Sequence, residues 1–251
     1  MKIQFIVIGW HYDPKELYIG LKELKDSNPG LVDVHWVCRK EPPKFIKDNF
    51  DWKMYDNVGL EWKGYTDGFY NLDLDDDTIV FFTHDDNFIK DWSFVNIISN
   101  ILIEGEKKVM GNGRNPGFYL DPNAIISPGN TEEPFPYGSK YKWKEIAIHK
   151  EFFDDEILPC ANFRASFVSM LAKTFKEMKG LEWIKDPYDG AMKFPNGKPD
   201  NRWANMCCNM NGYKISKLFG FDSIGFLSET YKTSRYMDEW ERGDKIVVNQ
   251  N

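Results

Sequence analysis

A run of apolar residues at positions 79–82 is the feature that most constrains how this chain folds. An apolar run without polar alternation is typical of a strand covered on both faces, as in the parallel sheets of α/β proteins. Two earlier strands are predicted at residues 3–8 and 32–38, with leucines at helical spacing between them. A strand–helix–strand unit of this kind builds a parallel sheet, so the opening of the chain predicts an α/β fold.

The rest of the sequence continues this alternation of strands and helices. Beyond the helix around Leu17, further helices are predicted at residues 61–72, 92–103, 171–178 and 202–210, and 143–153 also has a helical pattern. Further strands are predicted at residues 108–111, 160–170, 213–218 and 223–227. The Asn211-Gly212 pair is expected to end the last helix. Loop-rich segments cover residues 113–141 and 186–200. The expected architecture is a Rossmann-like mixed, mainly parallel sheet flanked by helices.

Two adjacent carboxylates, Asp85 and Asp86, follow the apolar run at 79–82 almost directly. Burial does not explain them, because an unpaired carboxylate is costly to remove from water. Open α/β sheets bind ligands at the carboxyl ends of their strands, where these two residues are predicted to lie. Carboxylate oxygens suit Mg²⁺ or Mn²⁺, which proteins commonly hold together with substrate phosphates.

Composition limits the classes of function. A chain of 251 residues with 42% hydrophobic content fits a single domain, which we expect to span 1–251. The formal net charge of −7 argues against binding of nucleic acid by bulk electrostatics. The four cysteines lack the spacing of zinc sites and are expected to be reduced core thiols. With no signal peptide and no apolar segment of membrane-spanning length, a cytoplasmic location without a membrane span is expected.

The order of these motifs resembles that of nucleotide-sugar-dependent glycosyltransferases of the GT-A fold, close to the family-2-like group. A strand, a loop and a helix open the chain, and Asn57-Val58-Gly59 stands before the next helix. The Asp-x-Asp metal motif of the family is matched by the variant His84-Asp85-Asp86. The resemblance implies a nucleotide-sugar half at about 1–92, an acceptor half at about 93–230 and a polar tail at 231–251.

The same resemblance assigns roles to individual residues. Asp86 would be the metal ligand, assisted by Asp85, and the ion would be Mn²⁺ or Mg²⁺. Asp200 would be the general base of an inverting transfer, with Asp189 and Asp186 in reserve. Residues placed near the nucleotide sugar are Gly9, Trp10, Arg39, Asn57, Gly59, Lys63 and Asp85. The late histidine that many metal-dependent members use has no counterpart, because no histidine follows His149.

Plainer structural interpretations compete with several of these roles. Asp200 could instead cap the helix that follows it, Trp10 could be a core or rim aromatic, and Arg39 and Lys63 could be surface charges. The acceptor of the transfer is expected to be a glycan. A viral-type DNA glycosyltransferase is an alternative, with the alternating lysines and aromatics of residues 137–144 as a basic track. The sequence is also compatible with a non-catalytic nucleotide-sugar-binding module or with a metal-dependent phosphohydrolase.

Overall fold

A computed structural model describes residues 1–13, 15–56, 60–89, 91–114, 119–124, 142–181, 201–228, 232–233 and 247–249. The strands are β1 (Ile3–Gly9), β2 (Val32–Cys38), β3 (Asp51–Met54), β4 (Ile79–His84), β5 (Asn87–Phe88), β6 (Val109–Arg114), β7 (Tyr119–Leu120), β8 (Leu158–Pro159), β9 (Asn162–Leu171), β10 (Ile224–Ser228), β11 (Lys232–Thr233) and β12 (Val247–Asn249). The helices are α1 (Lys15–Ser27), α2 (Lys44–Asn49), α3 (Leu60–Tyr70), α4 (Phe94–Glu104), α5 (Trp143–Ile146), α6 (Ala172–Glu177) and α7 (Asn201–Phe219).

One eight-stranded sheet, in the order β3-β2-β1-β4-β9-β6-β10-β12, forms the centre of the fold. Strands β3, β2, β1 and β4 are mutually parallel, and β6 is parallel to β10. Strand β9 runs antiparallel to both β4 and β6 and joins the two parallel groups. Because β9 runs in the opposite direction, its first residues lie beside the carboxyl ends of β4 and β6.

Two hydrophobic cores cover the two faces of the sheet. Phe5 and Val7 of β1 contribute to a core with the buried residues of α1, α2 and α4. Their neighbours Ile6 and Ile8 point to the other core, which contains buried residues of α3, α6 and α7. This alternation follows from the two-residue period of a strand, and it explains why β1 and β4 are apolar on both faces. The predicted α/β class, with a mixed, mainly parallel sheet flanked by helices, is confirmed.

Helix α7 contradicts one prediction. A strand was expected at residues 213–218, after a turn at Asn211-Gly212, but α7 continues without a break to Phe219. A Cβ atom on Gly212 would lie 2.0 Å from the backbone oxygen of Ala161. Gly212 therefore allows the helix to approach the backbone just before β9 closely, which is a packing role rather than a turn.

Smaller differences concern short elements. The segment predicted as one helix at 143–153 forms α5 and a 3₁₀ turn at Lys150–Phe152. Helix α2 and the edge strand β3 were not predicted. All four cysteines are buried and none of them forms a disulfide, as expected of core thiols. In the described part of the chain, no helix is both long and apolar enough to cross a membrane.

Candidate functional site

Three parallel strands, β1, β2 and β4, end on the same side of the sheet. We call this side, formed by the carboxyl ends of the strands, the carboxyl edge. The backbone N–H of Arg39, just after β2, donates to the oxygen of Gly9 at 2.9 Å. From the other side, the N–H of Asp85, just after β4, donates to the oxygen of Ile8 at 3.0 Å. These bonds bring three features to one place: residues 10–12 after β1, which we call the Gly9 loop, Arg39 after β2, and the two predicted metal-binding carboxylates after β4. The order of the sequence motifs implied this arrangement.

The carboxylate of Asp85 is buried and holds the loop that follows β1. Its Oδ2 atom accepts hydrogen bonds from the backbone N–H groups of Trp10, His11 and Tyr12, at 2.7, 2.6 and 2.5 Å. Consecutive N–H groups that converge on one point form a concave anion site. Burial raises the pKa of Asp85 above its ordinary value, and the hydrogen bonds from Tyr12 and Trp10 act in the opposite direction.

Tyr12 fixes the same loop to the neighbouring strand. Its φ angle is +56°, a left-handed conformation that is uncommon outside glycine. Its hydroxyl donates to the backbone oxygen of Lys40 at 2.7 Å, and its ring lies 2.6 Å from the place where a Cβ on Gly9 would stand. Gly9 is therefore required by close packing.

Burial raises the pKa of the nearby Cys38 thiol to about 11, so this thiol is protonated at neutral pH.

Asp86 is also buried, but its environment differs from that of Asp85. No described residue forms a hydrogen bond with its Oδ1 atom, which is fully buried. The Nδ1 atom of His84 lies 3.7 Å from this oxygen, which is within ion-pair distance for a protonated histidine but is longer than a hydrogen bond. The His84 ring itself stacks on Tyr65 with 6.0 Å between ring centroids. The carboxyl edge thus contains a buried carboxylate oxygen that accepts no hydrogen bond from the described residues.

The described residues offer only part of a metal site. Among them, no group of three or more His, Cys, Asp or Glu side chains is arranged to hold a metal ion. Mg²⁺ is commonly bound through one or two carboxylates together with substrate phosphates and water. The free oxygen of Asp86 fits such a shared site, in which the substrate supplies the remaining ligands.

Trp10 and Lys40 lie at the mouth of the carboxyl edge. The Nζ atom of Lys40 is 4.4 Å from the centroid of the Trp10 ring, a cation–π contact. Trp10 is partly exposed and Lys40 is exposed. Trp10 was predicted from the sequence as a site residue, whereas Lys40 was not. The position of the basic pair Arg39-Lys40 directly after the buried strand β2 is the sequence signal that could have identified it.

The two predicted basic residues, Arg39 and Lys63, have different surroundings. Arg39 is 8% exposed, and one of its Nη atoms donates to the backbone oxygen of Asp56. A Cβ on Gly64 would be 2.7 Å from the other Nη atom, so the guanidinium packs directly on α3. Burial lowers the pKa of Arg39, and nearby carboxylates oppose this effect. Lys63 forms an i,i+4 ion pair with Asp67 at 2.5 Å on the surface of α3.

Strand β9 supplies a polar wall beside β4. The Nδ2 atom of Asn87, which is fully buried, donates to Thr83 Oγ1 at 2.6 Å and to the backbone oxygen of Ser166 at 2.7 Å. Asn112 at the end of β6 approaches the Ser166 hydroxyl at 3.4 Å. Sequence analysis did not single out Asn87, although its position directly after Asp86 was visible.

Several predicted residues lie outside the described part of the chain. These are Asn57 and Gly59 of the nucleotide loop, the proposed base Asp200, and its reserves Asp189 and Asp186. Most of the basic track at 137–144 also lies outside it. Within the described part of that track, Lys144 pairs with Asp155 at 2.5 Å. The roles of these residues stay predictions.

A depression of about 220 Å³ lies at the opposite edge, where the strands begin, and Lys2, Asp33, Asp75 and Thr78 are among the residues that line it. We call this the amino edge. Two of its acidic side chains are exposed and form lysine pairs, Lys2–Asp75 and Lys25–Asp33, both at 3.3 Å. Open sheets bind ligands at the carboxyl ends of strands, so the carboxyl edge is the better candidate.

No protein-family model matches this sequence, and no curated protein does. Among solved structures, the chain is similar to 4-diphosphocytidyl-2C-methyl-D-erythritol synthase from Anaerococcus prevotii, with 13% identity, a TM-score of 0.39 and coverage of 71% of this chain and 73% of that one. It is similar to residues 1–349 of S. aureus TarS, with 10% identity, a TM-score of 0.41 and coverage of 85% of this chain and 55% of that one. TarS has also been solved with UDP-GlcNAc. The chain therefore spans about half of the TarS structure; its own fold is assigned from the strand order.

Proposed function

We propose that the protein is a glycosyltransferase that moves a sugar from a nucleoside-diphosphate sugar to an acceptor hydroxyl, with Mn²⁺ or Mg²⁺ as cofactor. The observation that carries this proposal is the buried Oδ1 atom of Asp86, which has no hydrogen-bond partner among the described residues. A buried carboxylate oxygen is costly unless a cation or a donor satisfies it. A divalent ion shared with a diphosphate supplies that cation only when the substrate is bound.

The surroundings of Asp86 suit a nucleotide diphosphate. The adjacent Asp85 holds the backbone of the Gly9 loop, and Lys40 places a positive charge over the Trp10 ring of that loop. The exposed part of Trp10 offers an aromatic surface against which a nucleobase can stack. A base next to the ring and phosphates next to Lys40 and Asp86 would orient the donor sugar towards β9.

In the proposed transfer, the acceptor hydroxyl gives its proton to a carboxylate, for which we propose Asp200, with Asp189 and Asp186 in reserve. The acceptor oxygen forms a bond to the anomeric carbon as the bond from that carbon to the diphosphate breaks. The nucleoside diphosphate leaves with the bonding electrons. A divalent ion held by Asp86 would neutralise the charge that develops on the diphosphate.

The acceptor is proposed to be a glycan. The glycan acceptor and the inverting outcome are both proposed from the resemblance of the sequence. The DNA version would need the basic track at 137–144, in which Lys144 already pairs with Asp155. A gel shift with duplex DNA at moderate salt distinguishes the two, because the glycan version predicts no shift.

The proposal is tested by the release of nucleoside diphosphate from a panel of nucleotide sugars that includes UDP-GlcNAc and GDP-mannose, with Mn²⁺ and mixed glycan acceptors. We expect turnover with at least one donor, loss of that turnover on removal of the ion, and a decrease of about a hundredfold or more for Asp86→Asn. The matched control is Asp33→Asn, an exposed aspartate on β2, which should retain wild-type turnover.

Two outcomes would change the assignment. If nucleotides bind but no donor turns over, and Asp200→Asn alters nothing, the protein is a non-catalytic nucleotide-sugar-binding module. If phosphate esters are hydrolysed without any sugar transfer, the protein is a metal-dependent phosphohydrolase. Either result contradicts the glycosyltransferase proposal.

A further inference from the structure

The carboxylate of Asp85 is used by the protein itself. Its Oδ2 atom accepts hydrogen bonds from three consecutive backbone N–H groups, those of Trp10, His11 and Tyr12. The residue is only 2% exposed. An oxygen with three donors has little acceptor capacity left for a further partner. A metal ion that approached this oxygen would have to displace the loop.

The loop depends on these bonds, because residues 10–12 belong to neither β1 nor α1. Their three amides therefore have no partner in a ladder or a helix, and Asp85 supplies one for all of them. Tyr12 is held in a left-handed conformation, and its hydroxyl is bonded to the backbone oxygen of Lys40. The loop is thus fixed from β4 through Asp85 and from β2 through Tyr12.

Asp86 shows the opposite arrangement one residue later. Its Oδ1 atom is buried and has no hydrogen-bond partner among the described residues, whereas Asp85 Oδ2 has three. These two oxygens, Asp85 Oδ2 and Asp86 Oδ1, therefore differ in free acceptor capacity. This difference separates their roles.

We infer that Asp85 is a positioning residue that preforms the Gly9 loop for the nucleotide, and that Asp86 alone supplies the protein's carboxylate to the ion. This inference rests on the proposed function and deepens it, because it assigns separate tasks to the two acids. Asp85 acts through the backbone of residues 10–12 and through the position of the Trp10 ring. Its effect on nucleotide binding is then independent of metal, and that of Asp86 depends on metal.

The separation is measured by titrating UDP and GDP into wild type, Asp85→Asn, Asp86→Asn and the control Asp33→Asn, each with and without Mn²⁺. We expect Asp85→Asn to weaken binding by a similar factor in both conditions, of about tenfold. Asp86→Asn should remove only the gain in affinity that Mn²⁺ gives, and Asp33→Asn should match wild type. The inference would be overturned if Asp85→Asn lost only the gain in nucleotide affinity that Mn²⁺ gives, or if its nucleotide affinity did not change.

Hydrogen exchange of the ligand-free protein tests the same inference without any nucleotide. In wild type, the amides of residues 10–12 should exchange at least about tenfold more slowly than the amides of an unfolded chain. In Asp85→Asn, the same amides should exchange at least about tenfold faster than in wild type. Asp33→Asn should leave them unchanged. Fast exchange in wild type, or equal exchange in Asp85→Asn, contradicts the positioning role. If no nucleotide binds wild type, the proposed function fails while the exchange result still decides the role of Asp85.

Discussion

The two edges of the central sheet both contain aspartates, but they use them in opposite ways. At the carboxyl edge, Asp85 and Asp86 are 2% and 6% exposed. At the amino edge, the side chains of Asp33 and Asp75 are 63% and 69% exposed and pair with lysines. Exposed pairs of that kind contribute little to stability, whereas a buried carboxylate requires a specific partner. Burial of the acids, rather than their number, therefore distinguishes the candidate site.

The largest effect in this comparison is expected for Asp85→Ala. The substitution leaves three backbone N–H groups without an acceptor, and we expect the free energy of unfolding to fall by about 3 kcal/mol or more. Asp33→Ala at the amino edge should change it by less than about 0.5 kcal/mol. Urea unfolding of both variants measures the difference. Equal losses at the two edges would refute the contrast.

A smaller effect of opposite sign is expected for Asp86→Asn. The substitution removes a buried charge without breaking a hydrogen bond to its Oδ1 atom, so the metal-free protein should become more stable, by about 1 kcal/mol. The variant should also lose the stabilisation that Mn²⁺ and a nucleoside diphosphate give together. Thermal unfolding with and without both ligands checks the two parts. A destabilised metal-free variant would mean that Asp86 has a structural partner.

The smallest effect is expected for the ion pair between Lys217 on α7 and Asp154 in the segment before β8. Lys217 lies 2.6 Å from Asp154, and its hydrogen bond lowers the pKa of that carboxyl below the ordinary value. A carboxyl whose pKa is lower in the folded than in the unfolded protein stabilises the fold at pH values above its unfolded-state pKa. This stabilisation is lost as the pH falls through the folded-state pKa. Asp154→Asn should therefore cost at most about 0.5 kcal/mol at neutral pH. In urea unfolding the difference in free energy from wild type should narrow as the pH falls through the folded-state pKa of Asp154, and a constant difference would contradict an ionic cause.

Much of the fold could be predicted because apolar runs and helical spacing are local patterns. Strand β2 has the predicted bounds, and β1 and β4 begin at the predicted residues. Helix α7 could not be predicted in full, because Gly212 looks like a turn signal in the sequence. A glycine is present at position 212 because the helix approaches the backbone of Ala161 closely there. The two residues are about fifty positions apart, so this contact is visible only in three dimensions.

The candidate site could be predicted in position but not in detail. The adjacent carboxylates after an apolar strand indicated the carboxyl edge, and Asp85 and Asp86 lie there. Their difference in environment could not be predicted, because it depends on the backbone amides of residues 10–12, which carry no side-chain signal. The left-handed conformation of Tyr12 is invisible in the sequence for the same reason.

The central claim is that the carboxyl edge binds a nucleoside diphosphate and a divalent ion together. Thermal unfolding with UDP, GDP, CDP and ADP, each with and without Mn²⁺, tests it most directly. We predict that at least one diphosphate raises the melting temperature, that Mn²⁺ increases this shift, and that Mn²⁺ alone has little effect because Asp86 needs the phosphates as co-ligands. If no diphosphate stabilises the protein in either condition, the claim is contradicted.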